Sequence, residues 1–193
     1  MSARLAVMLS GAGRTLGNLL DEIAAARLRA TIDLVIASRE CPGAERARSA
    51  GIETVVLPGV IPQGELGEAF ASRRIDWVAL AGYLKLIRIP PAYRGRIVNI
   101  HPALLPDFGG PGMYGRRVHE AVLAAGRRES GCTVHHCDEE FDRGDIILQR
   151  RCPVLPGDTP ETLADRVFAL EREAYPEALR RLIRGEAGAY RPS

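Results

Sequence analysis

Arg4-Leu5-Ala6-Val7-Met8-Leu9-Ser10-Gly11-Ala12-Gly13-Arg14-Thr15 decides the fold. Its first six residues are an apolar run of strand length. Ser10 to Gly13 is a glycine turn, and from Thr15 to about Ala26 the pattern is helical, with Leu16, Leu19, Leu20 and Ile23 on one face. A strand, a tight turn and a helix make the opening of a βαβ unit. Glycines let the backbone approach a ligand, and a helix N-terminus offers unpaired N–H groups to a phosphate. Arg14 adds a fixed charge with a bidentate fork. The turn lacks the third glycine of the dinucleotide fingerprint and is not a P-loop. It therefore reads as a monophosphate site at Gly11, Gly13, Arg14 and Thr15, or as an ordinary strand-to-helix turn.

Working outward, the alternation continues. Strands are expected at Ile32–Ala37, Thr54–Leu57, Trp77–Ala81 and Ile97–His101. Helices are expected at Cys41–Ala50 and Gln63–Arg73. Such alternation implies a mostly parallel, twisted, Rossmann-like sheet with helices on both faces. After a helix at Gly115–Ala125, two strands follow without a helix between them, Gly131–His136 and Ile146–Val154. They read as an antiparallel extension of the sheet. A long helix is expected over Thr159–Arg184, with Asp158 or Thr159 as N-cap and Pro160 in the first turn. With no repeats and no Pro/Gly/Ser-rich linker, residues 1–193 read as one α/β domain.

The strand ending at His101 continues into Asn99-Ile100-His101-Pro102-Ala103-Leu104-Leu105-Pro106. Proline has no N–H for a ladder, so Pro102 ends the strand. Asn99 and His101 lie two apart and share a face. They stand at the carboxyl end of a strand, where open α/β sheets place ligands. An amide can hold a carbonyl oxygen while an imidazole handles a proton. A satisfied core pair is the bland alternative.

Composition narrows the classes. The chain has 193 residues, 46% of them apolar, with 26 basic and 24 acidic side chains. No window approaches the roughly 18 apolar residues of a membrane span, and no secretory signal is legible at the N-terminus. The charge is near balance, without a basic block that would track nucleic acid. Lys85 is the only lysine, so a Schiff-base mechanism has a single candidate. The cysteines are Cys41, Cys132, Cys137 and Cys152. Cys132 and Cys137 bracket His135 and His136, a zinc-like cluster on paper. On a strand, however, those two histidines face opposite ways. Reduced, mostly buried thiols in a cytoplasmic protein are the expectation.

Asp138-Glu139-Glu140-Phe141-Asp142-Arg143-Gly144-Asp145 is a polar loop between the last two strands. Its spacing is wrong for calcium. A carboxylate from this loop could meet His101 and hold it cationic or correctly oriented.

At this point the chain resembles a known family, the folate-dependent formyltransferases, and among them the glycinamide ribonucleotide formyltransferases. The Gly-x-Gly turn, Leu80-Ala81-Gly82-Tyr83-Leu84-Lys85-Leu86-Ile87, the Asn-x-His-Pro-x-Leu-Leu-Pro element, and Thr133-Val134-His135 leading to Phe141-Asp142-x-Gly144-x-Ile146-Ile147-x-Gln149 occur in the same order. The resemblance spans about residues 4 to 184. It implies the formyltransferase fold and transfer of a formyl group from 10-formyltetrahydrofolate, a co-substrate, to glycinamide ribonucleotide, with no metal. It makes Asn99, His101 and Asp142 the catalytic trio. Leu84, Lys85, Leu86 and Ile87 flank the pterin, with Lys85 near the acidic tail. Asp138 to Asp142 close the other side, and Asn99 and His135 join the folate set, although His135 also reads as structural. Gly11, Gly13, Arg14, Thr15, Gly82 and Glu171 fall to the ribonucleotide. Residues 1–101 become the phosphate- and ribonucleotide-binding half, and 102–193 the folate-loop and C-terminal-helix half. The partners implied are small molecules, neither nucleic acid nor membrane, and the protein would be a monomer or homodimer. His119 and Trp77 read as structural.

Related readings are another folate-dependent formyltransferase acting on a different phosphorylated amine or amino sugar, and a non-catalytic binding relative. The transfer-RNA and hydrolase types carry an extra domain that 193 residues do not accommodate. Three departures from the family pattern are visible. Arg14-Thr15 replaces the usual Ser-Asn. The segment between the third and fourth strands lacks an arginine that helps hold the phosphate in many members, and Gly109 to Gly115 enlarges the loop before His119. Arg14 is therefore expected to supply the missing charge. Otherwise it only opens the first helix toward solvent.

Overall fold

The computed structural model describes residues 2–186. These fall into two compact units, Met1–Asn99 and Ile100–Ser193; residues 1 and 187–193, part of the expected single domain, lie outside the described residues.

The first unit is a parallel sheet with three helices. Its elements are β1 (Ala3–Leu9), α1 (Arg14–Ala24), β2 (Ala30–Ala37), α2 (Pro42–Ser49), β3 (Thr54–Val56), α3 (Gln63–Ser72), β4 (Trp77–Leu80) and β5 (Ile97–His101), whose last two residues open the second unit. The strand order is β3-β2-β1-β4-β5, every pairing parallel. Leu5 to Leu9 are all fully buried. A central strand covered on both faces is continuously apolar for that reason. Helix α1 stops at Ala24, two residues short of expectation, because Ala26 turns into the left-handed region at φ 56°. Between β4 and β5, residues 81–90 form neither helix nor strand.

The second unit contains α4 (Arg116–Ala124), β6 (Glu129–His136), β7 (Ile146–Pro153) and α5 (Pro160–Ile183). β6 and β7 are antiparallel, as expected, from Glu129 opposite Pro153 to His135 opposite Ile146. The register slips between Val134 and His135. Thr159, not Asp158, is the N-cap of α5; it forms a reciprocal capping box with Thr162. Asp158 instead accepts the Leu155 N–H and a two-pronged contact from Arg166. The described residues thus give seven strands, mostly parallel with an antiparallel part, and five α-helices. No helix among them is long and apolar enough to cross a membrane.

Candidate active site

His101 ends β5 and is 3% exposed. Its Nε2 lies 2.8 Å from the Phe108 carbonyl oxygen. A carbonyl only accepts, so Nε2 carries the proton. Its Nδ1 lies 3.5 Å from Asp142 Oδ2. Burial pushes the imidazole below its ordinary value, against the opposing pull of Asp142 and Phe108. Desolvation thus favours the neutral ring over the cation that the nearby carboxylate would hold. In the Nε2–H form Nδ1 is an acceptor, so Asp142 Oδ2 becomes its hydrogen-bond partner only when the ring is protonated.

Asp142 is held from three sides. Oδ2 accepts the Gly110 N–H at 2.9 Å, and Oδ1 stands 3.5 Å from His135 Nε2. Burial would raise its pKa, but the His135 contact, the attraction of His101 once that ring is protonated and the Gly110 N–H together leave the carboxyl below the usual range. Asp142 also sits at φ 58°. That is the left-handed region, which an aspartate adopts at a small cost. Two residues on, Gly144 approaches β6 so closely that a Cβ would stand 1.8 Å from the His136 carbonyl oxygen. Only glycine permits this approach, so the Asp-x-Gly pattern is a steric requirement that aims Asp142.

His135 is 1% exposed and its Nδ1 lies 2.8 Å from the His136 carbonyl. The register slip in the β6–β7 pairing falls just before it. His101, Asp142 and His135 are thus brought together. Asp138 is half-buried and its Oδ1 accepts the Glu140 N–H at 2.8 Å. Glu171 is half-buried on α5. His119 is 4% exposed with an unpartnered Nδ1. The strand end is anchored by Thr133, whose hydroxyl donates to the Ala103 carbonyl and accepts from the Leu105 N–H and from Gln149 Nε2.

In the first unit, Asn99 occupies the half-buried position on β5 two residues before His101. Gly13 is the N-cap of α1 at φ 70°, and a Cβ there would meet the Gly43 Cα at 2.6 Å. The Gly43 N–H donates to the Gly11 carbonyl at 3.0 Å. No side chain caps α1, and a helix N-terminus is the kind of place that suits an anion. Arg14 is the first residue of α1 and exposed; Thr15 is half-buried. Gly82 is exposed at φ 75°. Leu84 is 40% exposed, Lys85 is exposed and Leu86 half-buried, whereas Ile87 is 5% exposed and belongs to the core. Its side chain offers little face to a flat ring.

Sequence reasoning missed Ser10, Ser38, Arg39 and Gly43 around the turn. Arg39 Nε donates to the Ser10 carbonyl at 2.8 Å. That places a guanidinium beside the turn, from just beyond the end of β2. Its position directly after a strand that pairs with β1 was the available signal.

All four cysteines are free. Among the described residues no three His, Cys, Asp or Glu side chains gather as a metal site.

The chain matches the family model described as formyl transferase over residues 3–179. It is 42% identical to the chloroplastic phosphoribosylglycinamide formyltransferase of Arabidopsis thaliana, over 91% of this chain and 64% of that protein; the chain thus spans less than two thirds of that relative's length. Glycinamide ribonucleotide transformylase 1 from Symbiobacterium toebii superposes with a TM-score of 0.87 at 37% identity, covering 95% of this chain and 89% of the other. Phosphoribosylglycinamide formyltransferase from Brucella melitensis gives 0.84 at 35% identity, with 100% of each chain covered. With the family model matched over most of its length, the chain belongs to the formyl transferase family.

Proposed function

We propose that this chain transfers the formyl group of 10-formyltetrahydrofolate to the amine of glycinamide ribonucleotide, a step of purine synthesis. The observation that carries the reading is the buried His101–Asp142 pair at the end of β5, two residues beyond Asn99. The amine attacks the formyl carbon and negative charge builds on the formyl oxygen. The Asn99 amide and an N–H of His101 donate to that oxygen and lower the barrier. Nε2–H donates to the Phe108 carbonyl, and in this reading that bond gives way to the formyl oxygen when substrate binds. Asp142 Oδ2 stands 3.5 Å from the other ring nitrogen, Nδ1. It also holds the water that passes a proton from the attacking amine to the departing nitrogen. Holding both reactants together removes the entropy cost of their encounter.

In this reading residues 1–101 hold the ribonucleotide and 102–193 supply the folate loop and C-terminal helix. Gly11, Gly13, Arg14 and Thr15 take the phosphate, with Gly82 and Glu171 on the ribonucleotide. Backbone groups of Leu84 to Ile87, with Lys85, His135, Asp138 and Asp142, serve the folate. We place the reaction in the cytoplasm, where four free thiols suit a reducing setting.

The test is a formyl-transfer assay of the purified protein with 10-formyltetrahydrofolate and a panel of amines. The panel includes glycinamide ribonucleotide, its phosphate-free nucleoside and an amino-sugar nucleotide. Glycinamide ribonucleotide is expected to lead in kcat/KM by on the order of 100-fold. A higher rate with the amino sugar, or formate release that needs no acceptor, overturns the reading.

A further inference from the structure

Ser10 is buried, 2% exposed, and its polar atoms tie three segments together. Its N–H donates to the Gly82 carbonyl at 3.1 Å. Its hydroxyl oxygen accepts the Leu84 N–H at 3.0 Å and the Ser38 hydroxyl at 2.7 Å. Its carbonyl accepts Arg39 Nε–H at 2.8 Å. Ser10 is also the first residue of the turn that leads to Gly11, Gly13 and the N-terminus of α1. A strand-end serine that only filled its place would be satisfied by Ser38. The Leu84 bond is different, because Leu84 lies in the irregular segment 81–90, which has no ladder of its own to hold its backbone. A side chain at the root of one loop therefore fixes the backbone of another.

We propose that Ser10 is a positioning residue that couples the ribonucleotide-side turn to the folate-side segment 84–87. The proposal rests on the substrate assignment above. A ligand that orders the turn orders Ser10, and through its hydroxyl the backbone from Leu84 onward. The second ligand then finds that backbone already fixed and loses less freedom on binding, which is positive coupling without a large movement. Coupling of this kind is reciprocal, so each substrate tightens the other by the same factor.

The experiment measures tetrahydrofolate binding by calorimetry, with and without saturating glycinamide ribonucleotide, beside steady-state kinetics. In the wild type the ribonucleotide should tighten tetrahydrofolate about 5- to 10-fold. Ser10→Ala should bring that ratio to about one. It should raise the KM for formylfolate several-fold while kcat at saturation falls less than about threefold, as expected when ground-state and transition-state binding are lost together. Ser38→Ala removes the other hydrogen bond to the same oxygen but spares the Leu84 bond, and should keep the ratio. Ser10→Cys is similar in size and only a weak acceptor; it should at least halve the ratio, and serves if Ser10→Ala does not fold. A wild-type ratio of one, or an unchanged ratio in a folded Ser10 variant, overturns the proposal. If the wild type formylates a different amine, the substrate reading fails and the same ratio is measured with that amine. If it formylates glycinamide ribonucleotide and Ser10 proves silent, only the coupling fails.

Discussion

His101 faces two acceptors, the Phe108 carbonyl and the Asp142 carboxylate. One neutral imidazole cannot satisfy both, and burial favours the neutral form. The ring is thus poised to gain a second partner the moment it takes a proton. His101→Ala and Asp142→Asn are each expected to cost about 3–4 kcal/mol of activation free energy in single-turnover formyl transfer, with the circular dichroism spectrum unchanged. The double variant should be little worse, because residues that act as a unit are not additive. A folded His101→Ala protein with near-normal turnover would remove the histidine from the chemistry. The same depression puts the acid limb of kcat/KM below the ordinary imidazole value of 6.5, which a pH–rate profile would show directly. At the turn, Arg14→Ala should raise the ribonucleotide KM by about one to two decades and spare folate affinity. An unchanged KM returns Arg14 to the role of an exposed helix opener and leaves the charge to Arg39. Asn99 and His101 were legible because strand alternation and Pro102 fix their placement locally. Ser10, Arg39 and Gly43 were not, since their roles arise from contacts between segments about 30 or more residues apart in the chain.

The elements themselves were read closely from apolar runs and turn residues, and the boundaries missed by one or two residues where conformation, not hydrophobicity, decides. Ala26 ends the turn after α1 at positive φ, and alanine carries no sequence signal for that. The slip at Val134/His135 and the left-handed Asp142 are equally silent in the pattern, yet both fall at residues of the candidate site. Thr133 on β6 shows how an element supports chemistry it does not perform. Its hydroxyl serves the Ala103 carbonyl, the Leu105 N–H and Gln149 Nε2, the first two lying just beyond the end of β5. Thr133→Val keeps the shape and strands those buried partners, so unfolding in urea should show a loss of about 1–3 kcal/mol. The same variant should lower kcat, because Ala103 and Leu105 follow His101 directly. Unchanged stability would mean that water or a shifted backbone replaces the hydroxyl.

For the molecule as a whole, the parallel sheet was legible because buried parallel strands are continuously apolar and helices of about ten residues separate most of them, whereas the order β3-β2-β1-β4-β5 rests on pairings that an apolar run does not encode. What composition did not reveal is how many titrating groups the fold buries. His101, His119 and His136 are each held below the ordinary 6.5, with burial the leading cause in every case. A base whose folded value is depressed binds fewer protons folded than unfolded. Its contribution to stability is therefore present above 6.5 and is lost as pH falls through that value toward the folded one. Asp142 is a carboxyl held below its ordinary 3.8, so its contribution persists through this window and disappears only in stronger acid. The protein should accordingly weaken in two stages, the first set by histidines as pH falls below 6.5, the second by carboxylates in stronger acid. Each imidazole that stays neutral in the fold contributes a slope of at most about 1.4 kcal/mol per pH unit in the first stage. Urea midpoints at pH 8, 6.5 and 5.5 measure that slope. His119 is buried with an unpartnered Nδ1, so His119→Leu removes one titrating group and should flatten the slope by up to one proton. A midpoint that stays level from pH 8 to 5.5 would mean that these histidines take up protons in the folded state as readily as in the unfolded chain.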